Sequence, residues 1–103
     1  KVKGKGAGVY LIDNTTVADR THEKAIISNN IIECVRDSVS LKNALRCIVT
    51  DNFLYGDNAS TRYPINEQSG CNYNLFINNL IENWANDISV SGEKTVSNNN
   101  VII

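Results

Sequence analysis

The stretch that most constrains the fold, residues 69–84, reads Ser69-Gly70-Cys71-Asn72-Tyr73-Asn74-Leu75-Phe76-Ile77-Asn78-Asn79-Leu80-Ile81-Glu82-Asn83-Trp84. Its apolar residues recur at intervals of three and four, which is the spacing of one face of an α-helix. They are Phe76, Ile77, Leu80, Ile81 and Trp84. The stretch therefore predicts an amphipathic helix that begins near Cys71 and ends near Asn86-Asp87.

Cys71 would then lie at a helix N-terminus. Unpaired backbone N–H groups and the positive end of the helix dipole favour a thiolate there, which lowers a cysteine pKa and activates a nucleophile. The same position also suits a disulfide. The sequence leaves both interpretations open.

A second helix is predicted after Ser40, which is a suitable N-cap. Apolar residues follow it at helical spacing until the polar residues 50–52: Leu41, Ala44, Leu45, Ile48 and Val49. We expect a helix of two to three turns.

Strands are predicted on both sides of this helix. Residues 9–12 read as a strand that forms a hairpin with a short run around residues 16–18. Residues 26–27 and 31–32 suggest two strand pieces around the turn Ser28-Asn29-Asn30.

The segments nearer the C-terminus are more polar. Residues 53–66 suggest a surface connection with a short strand near Arg62-Tyr63. Residues 88–91 and 94–96 could form a final hairpin before the apolar end Val101-Ile102-Ile103, and no internal repeat appears. The order of elements predicts one α+β domain over residues 9–103, in which two helices pack on one face of an antiparallel sheet.

Charge gives little indication of a partner. The formal net charge is −1, and the one basic concentration is Lys1, Lys3 and Lys5, interleaved with glycine. Residues 1–8 are expected to be a flexible tail that could contact nucleic acid or an acidic membrane. No apolar run is long enough for a transmembrane helix, and no spacing fits a metal or cofactor site.

The sequence does not decide the cellular compartment of the protein. Three cysteines, Cys34, Cys47 and Cys71, leave at least one thiol unpaired in a monomer. The absence of methionine suggests a fragment cut from a precursor, either secreted or released into the cytoplasm of a host cell. Asn14 and Asn58 begin sequons of the kind that carries N-linked glycans.

The sole histidine, His22, is the candidate general base for Cys71, because a thiol nucleophile needs a base within hydrogen-bond reach. A lone histidine in a polar segment is more commonly a surface residue. The pair Cys71 and His22 is the predicted catalytic site if the chain is an enzyme, and no metal or cofactor is expected to assist it.

Three blocks of sequence resemble the H-box/NC proteins, the lecithin:retinol acyltransferase-like group related to NlpC/P60 peptidases and found in some picornavirus polyproteins. Residues 6–13 resemble the family's opening strand. His22 falls near the family's second histidine, and residues 24–27 resemble its Lys-Ala-Ile-Val-like stretch. Residues 70–76 resemble its closing Asn-Cys motif. Gly6 replaces the family's general base, and Gly70 replaces the asparagine before the nucleophile. The resemblance implies a degenerate relative that binds a protein partner or second subunit, with thiol acyl transfer or hydrolysis as any residual reaction.

Three alternatives remain. The unpaired cysteine and apparent processing suit a secreted killer-toxin-like or effector-like α/β protein, such as one subunit of a disulfide-linked toxin. A ribonuclease toxin would use His22, Arg20 and a tyrosine, although the near-neutral charge offers no phosphate-binding footprint. In a structural or interaction module the three cysteines would be buried small apolar residues.

Overall fold

A computed structural model describes residues 2–4, 8–12, 22–58 and 61–103. These residues form fourteen short strands and no helix. The predicted strand run at residues 16–18, together with Asn14, Arg20, Lys1 and Lys5, lies outside the described residues. No helix able to span a bilayer is found within those ranges.

The strands form four parallel sheets, each built from successive turns of the chain. Sheet 1 contains β1 (Val2–Gly4), β5 (Ile31–Cys34), β9 (Phe53–Tyr55), β12 (Leu80–Glu82) and β14 (Val101–Ile102). Sheet 2 contains β4 (Ile26–Ser28), β8 (Ile48–Thr50), β11 (Leu75–Ile77) and β13 (Val96–Asn98). Sheet 3 contains β2 (Val9–Ile12), β6 (Val39–Lys42) and β10 (Ile65–Glu67), and sheet 4 contains β3 (His22–Glu23) and β7 (Ala44–Leu45).

This arrangement is a β-solenoid, in which the chain visits the sheets in turn and each coil stacks on the one before. The predicted α+β fold with an antiparallel sheet is therefore wrong. Residues 41–49 form parts of β6, β7 and β8 in place of the first helix, and residues 75–82 form β11 and β12 in place of the second. The predicted strands at residues 9–12, 26–27 and 31–32 are present, but each pairs in parallel with another coil.

The coils follow a sequence repeat that was not predicted, and this repeat sets the register in which they stack. The register aligns Ile26, Ile48, Leu75 and Val96 in sheet 2, at intervals of 22, 27 and 21 residues. In three described coils the buried residue of sheet 2 precedes that of sheet 1 by five positions: Ile27 and Ile32, Val49 and Leu54, Phe76 and Ile81. Intervals of unequal length hide the repeat from a search for a constant period.

The core consists of apolar columns that run through the stack. Their members are fully or almost fully buried. One column is Ile27, Val49 and Phe76; a second is Ile32, Leu54 and Ile81; a third includes Val39 and Ile65. Stacked apolar side chains bury most of their surface against the coils above and below, and this burial is the main source of the fold's stability.

An asparagine ladder occupies the corner between sheets 2 and 1. Its members are Asn30, Asn52, Asn79 and Asn100. The Oδ1 atom of Asn52 accepts the backbone N–H and the side-chain amide of Asn30, at 3.0 and 3.2 Å. Asn79 does the same for Asn52, and Asn100 for Asn79, at 3.0 to 3.1 Å. The ladder pairs the polar backbone that a buried corner would otherwise leave unsatisfied.

The residue before each ladder asparagine turns the corner. Asn29, Asp51, Asn78 and Asn99 have φ values of 52 to 59°. This left-handed conformation is one that asparagine and aspartate tolerate better than most residues. Adjacent residues in the Asn-Asn and Asp-Asn pairs therefore have separate roles, the first in backbone conformation and the second in hydrogen bonding.

A longer corner follows β9 and was predicted as a surface connection. Asp37 holds its far end, since Oδ1 accepts the backbone N–H of Tyr63 at 2.7 Å and Oδ2 accepts the Asn66 side chain at 2.9 Å. The strand expected near Arg62-Tyr63 begins at Ile65. The predicted closing hairpin is also absent, because Ser89 bridges Asn66 while Val96 pairs with Leu75. Residues 2–4 of the predicted tail form β1, which pairs with β5.

Candidate functional site

Cys71 lies in the turn before β11, with no helix following it. Gly70 precedes it with a φ of 78°, and a Cβ at that position would clash with the Asn43 side chain. The glycine therefore permits both the left-handed turn and the close approach to Asn43. The premise that Cys71 occupies a helix N-terminus is wrong.

The surroundings of Cys71 favour the neutral thiol. Its side chain is buried, and its Sγ accepts the backbone N–H of Ala44 at 3.4 Å. Burial raises the pKa of the Cys71 thiol above its ordinary value, and this effect outweighs the opposite effect of the Ala44 N–H. The pKa shift is therefore opposite in direction to the one expected for an activated nucleophile.

His22 and Cys71 belong to strand positions on opposite sides of Ala44. His22 is aligned with Ala44 in sheet 4, and the bridge between Leu45 and Asn72 places Cys71 beside Ala44 in the next coil. Two strand spacings, about 10 Å, therefore separate the backbones of the predicted pair. The structure places the two residues in one column but leaves a strand between them.

All three cysteines are buried and free. The Sγ of Cys34 donates to the carbonyl of Arg36 at 3.2 Å, and the Sγ of Cys47 donates to the carbonyl of Leu45 at 3.5 Å. Burial also raises the pKa of the Cys47 thiol. This arrangement is the one expected of cysteines that serve as small apolar core residues.

Alkylation of the folded protein by iodoacetamide at pH 8 is expected to be slow at Cys47 and Cys71, at least about tenfold slower than in the urea-unfolded chain. Burial limits access, and the raised pKa values reduce the thiolate fraction. Intact-mass measurements over time, without reductant, would follow the reaction and reveal any disulfide. Rapid labelling that is lost in Cys71→Ala alone would contradict this expectation and restore Cys71 as a nucleophile.

The described residues contain no group of three or more His, Cys, Asp or Glu side chains that could hold a metal ion. A surface feature of a different kind lies on the outer face of sheet 1. It is a groove, here called the sheet 1 groove, and its lining residues are Ile31, Glu33, Phe53, Tyr55 and Glu82.

Strand alternation creates the sheet 1 groove. Successive side chains of a strand point to opposite faces, so residues 31 and 33, 53 and 55, and 80 and 82 point outward while Ile32, Leu54 and Ile81 fill the core. The register aligns Glu33, Tyr55 and Glu82 across β5, β9 and β12. Tyr55 therefore has a carboxylate residue one strand spacing away on each side.

The two aromatic rings of β9 form a stacked pair in the sheet 1 groove. The ring centroids of Phe53 and Tyr55 are 6.5 Å apart, and the ring planes differ by 8°. Tyr55 is 36% exposed, whereas Phe53 is partly buried. The result is a pair of parallel aromatic planes on the outer face of sheet 1.

Trp84 follows β12 and contacts β9 and the residue after it. Its Nε1 donates to the carbonyl of Leu54 at 3.0 Å, and its ring packs so closely on Gly56 that a Cβ there would lie 2.6 Å from ring carbons. A side chain larger than hydrogen at residue 56 would displace the indole. The segment that follows β12 is thus joined to β9 by a side-chain contact, in addition to the backbone pairing of the two strands.

The groove residues were not among the predicted site residues. The signal for them in the sequence is the alternation after each ladder asparagine, in Ile31-Ile32-Glu33, Phe53-Leu54-Tyr55 and Leu80-Ile81-Glu82. If each triplet is a strand, its first residue, which is apolar or aromatic, lies on the same face as its third residue, which is glutamate or tyrosine. The helical interpretation of residues 76–84 obscured this pattern.

The chain matches no protein-family model, and no curated protein or solved structure matches it. The resemblance to H-box/NC proteins therefore gains no support from these comparisons and stays a prediction.

Proposed function

We propose that this protein is a non-catalytic binding module that holds a carbohydrate chain in the sheet 1 groove. The observation that carries the proposal is the pair of parallel rings, Phe53 and Tyr55, with Glu33 and Glu82 in adjacent strands. This retains the expectation of a binding role and assigns it a surface and a class of ligand.

The aromatic pair suits a sugar ring. A pyranose presents C–H groups on one face, and their partial positive charge is attracted to the negative face of an aromatic ring. Such contacts also bury apolar surface. A phenol and a phenyl ring on one strand give the ligand two places to pack without any rearrangement of the backbone.

The carboxylates suit the polar edge of the same ligand. Ionised carboxylates accept hydrogen bonds and donate none, and sugars carry many hydroxyl donors. Hydrogen bonds to a charged acceptor are stronger than those between neutral groups. Aromatic planes with neighbouring acceptors therefore complement both the apolar face and the hydroxyl edge of a sugar.

The surroundings of Cys71 favour binding over catalysis. Its thiol is buried and has a raised pKa, and its backbone is about 10 Å from that of His22. Thiol acyl transfer through this pair, and a disulfide-linked toxin subunit, stay predictions that the alkylation experiment addresses.

Tyr55→Ala is expected to weaken binding to carbohydrate roughly three- to tenfold, because an aromatic contact contributes about 0.5–1.5 kcal/mol. Affinity electrophoresis through gels containing neutral glucans, mannans or xylans would measure the effect. Tyr73→Ala is the matched control, since Tyr73 is 53% exposed and lies outside the groove, near Arg46.

Retardation of the wild-type chain by at least one of these polymers, reduced in Tyr55→Ala and preserved in Tyr73→Ala, would support the proposal. Absence of retardation by every polymer would refute it. Equal losses in the two tyrosine variants would also refute it, because the binding would then not depend on the groove.

A further inference from the structure

Glu82 carries the charge that a ligand in the sheet 1 groove meets. Its side chain is partly buried, and within the described residues its carboxylate makes no hydrogen bond or ion pair. Glu33 differs, because it has an interaction within the protein and its register partner in β1 is Lys3. The uncompensated charge of the groove therefore lies on the β12 side of the aromatic residues.

A carboxylate in this position attracts a cation. Partial burial removes some of the water that would otherwise solvate the charge, and none of the five groove-lining residues is Lys, Arg or His. A ligand ammonium would compensate the charge where solvent screens it less than at a fully exposed site. A neutral hydroxyl can donate a hydrogen bond to the same carboxylate but brings no opposite charge.

Tyr55 provides a second contact for the same cation. It is the register partner of Glu82, so the two backbones lie one strand spacing, about 5 Å, apart. An ammonium group within about 6 Å of an aromatic centroid is attracted to the negative face of the ring. A ligand cation on the β12 side of Tyr55 can therefore contact an aromatic ring and a carboxylate together.

An amino sugar combines this cation with the apolar face that the aromatic pair suits. The equatorial substituents of a pyranose lie at the edge of the ring, whereas C–H groups lie on its faces. A sugar that packs on Tyr55 can therefore hold an amino substituent within reach of Glu82 on the neighbouring strand. The lysine side chain of a basic peptide would supply the charge but no sugar face.

Resting on the proposed function, we infer that the sheet 1 groove prefers glycans with free amino groups, such as those built from 2-amino-2-deoxy sugars. The ammonium of one sugar lies between the carboxylate of Glu82 and the ring of Tyr55. Neutral glycans bind the same surface more weakly, through aromatic contacts and hydroxyl hydrogen bonds alone.

Two hexasaccharides with the same β-1,4-linked backbone test this preference. Cellohexaose has a hydroxyl group at C2 of each sugar, and the hexamer of glucosamine has an amino group there. Calorimetric titration at about pH 5.5, where aliphatic amines are protonated and carboxylic acids are largely ionised, would compare the two. We expect the wild-type chain to bind the glucosamine hexamer at least about fivefold more tightly at low salt, with a smaller ratio at higher salt.

Neutral variants locate the effect. Glu82→Gln keeps the size of the side chain and removes its charge, so it is expected to lower the ratio of the two affinities at least about twofold. Its affinity for cellohexaose should stay within about twofold of the wild-type value. Glu93→Gln is the matched control, since Glu93 is exposed and lies outside the groove lining, and it should leave the ratio unchanged.

The outcomes separate the two proposals. A glucosamine hexamer that binds the wild-type chain no more tightly than cellohexaose would overturn the inference, while retardation by a neutral polymer would keep the proposed function standing. Equal effects of Glu82→Gln and Glu93→Gln on the ratio would also overturn the inference. So would hexalysine that binds as tightly as the glucosamine hexamer, because charge alone would then be recognised. Failure of the wild-type chain to bind the neutral polymers and both hexamers would refute both proposals.

Discussion

Replacing Asn79 with alanine is expected to lower the free energy of unfolding by about 3–5 kcal/mol. The side chain is buried, and its Oδ1 accepts the backbone N–H and side-chain amide of Asn52. Its amide donates to the carbonyl of Val49 and to Asn100. Alanine would leave these buried groups without partners in the middle of the stack. Urea unfolding followed by far-UV circular dichroism would measure the loss.

The adjacent Asn78 provides the matched control. It is exposed and has a φ of 56°. Glycine adopts this conformation easily, so Asn78→Gly is expected to change the unfolding free energy by less than about 1 kcal/mol. Comparable losses in Asn78→Gly and Asn79→Ala would contradict the role assigned to the asparagine ladder.

Replacing Glu67 with alanine is expected to cost about 3–5 kcal/mol, because it removes a buried carboxylate that is fully hydrogen-bonded. Its Oε1 accepts the backbone N–H groups of Ser91 and Gly92 at 2.9 and 2.6 Å. Its Oε2 accepts the side chains of Asn74 and Thr95, each at 2.8 Å. The carboxylate thereby anchors the loop before β13.

The measurement is urea unfolding combined with amide hydrogen exchange. In Glu67→Ala the amides of Ser91 and Gly92 should lose protection, along with global stability. Glu67→Gln keeps one acceptor oxygen and is expected to lose less. If Glu67→Ala unfolded at the wild-type urea concentration with both amides still protected, the anchoring role would be wrong.

Local strand tendency was predictable from the sequence in several places. The β-branched residues 26–27 and 31–32, and the strand at 9–12, were identified correctly as extended. Their pairing partners were not identified, because parallel pairing joins residues 21 to 30 positions apart and leaves no local turn signature. Local sequence patterns therefore predicted individual strands but not how the strands pair into sheets.

The helical interpretation of residues 75–82 failed for a physical reason. A corner inserted between two three-residue strands places inward residues Phe76 and Ile81 five positions apart, with outward Ile77 and Leu80 between them. This combination yields the same three-and-four spacing as a helix face. The Asn78-Asn79 pair at the centre was the contrary signal, since asparagine has a low helix propensity and suits the left-handed corner.

Neither the groove nor the burial of the Cys71 thiol could be predicted from the sequence. Glu33, Tyr55 and Glu82 are 22 and 27 positions apart, and only the register of the coils aligns them. The direction of the Cys71 pKa shift depended on whether the residue preceded a helix or lay in the solenoid core. The groove and the direction of the Cys71 pKa shift could therefore be recognised only once the fold was known.

Wherever the described part of the chain contains both strands, the step from sheet 2 to sheet 1 is five residues, whereas the path from sheet 1 back to sheet 2 varies in length. Insertions in that path, such as the longer corner held by Asp37, leave the register of Glu33, Tyr55 and Glu82 unchanged. Corners could thus lengthen and diversify over evolutionary time while the proposed binding surface on sheet 1 keeps its register. Longer loops alone could then change which ligand the proposed surface binds, while the apolar core stays the same.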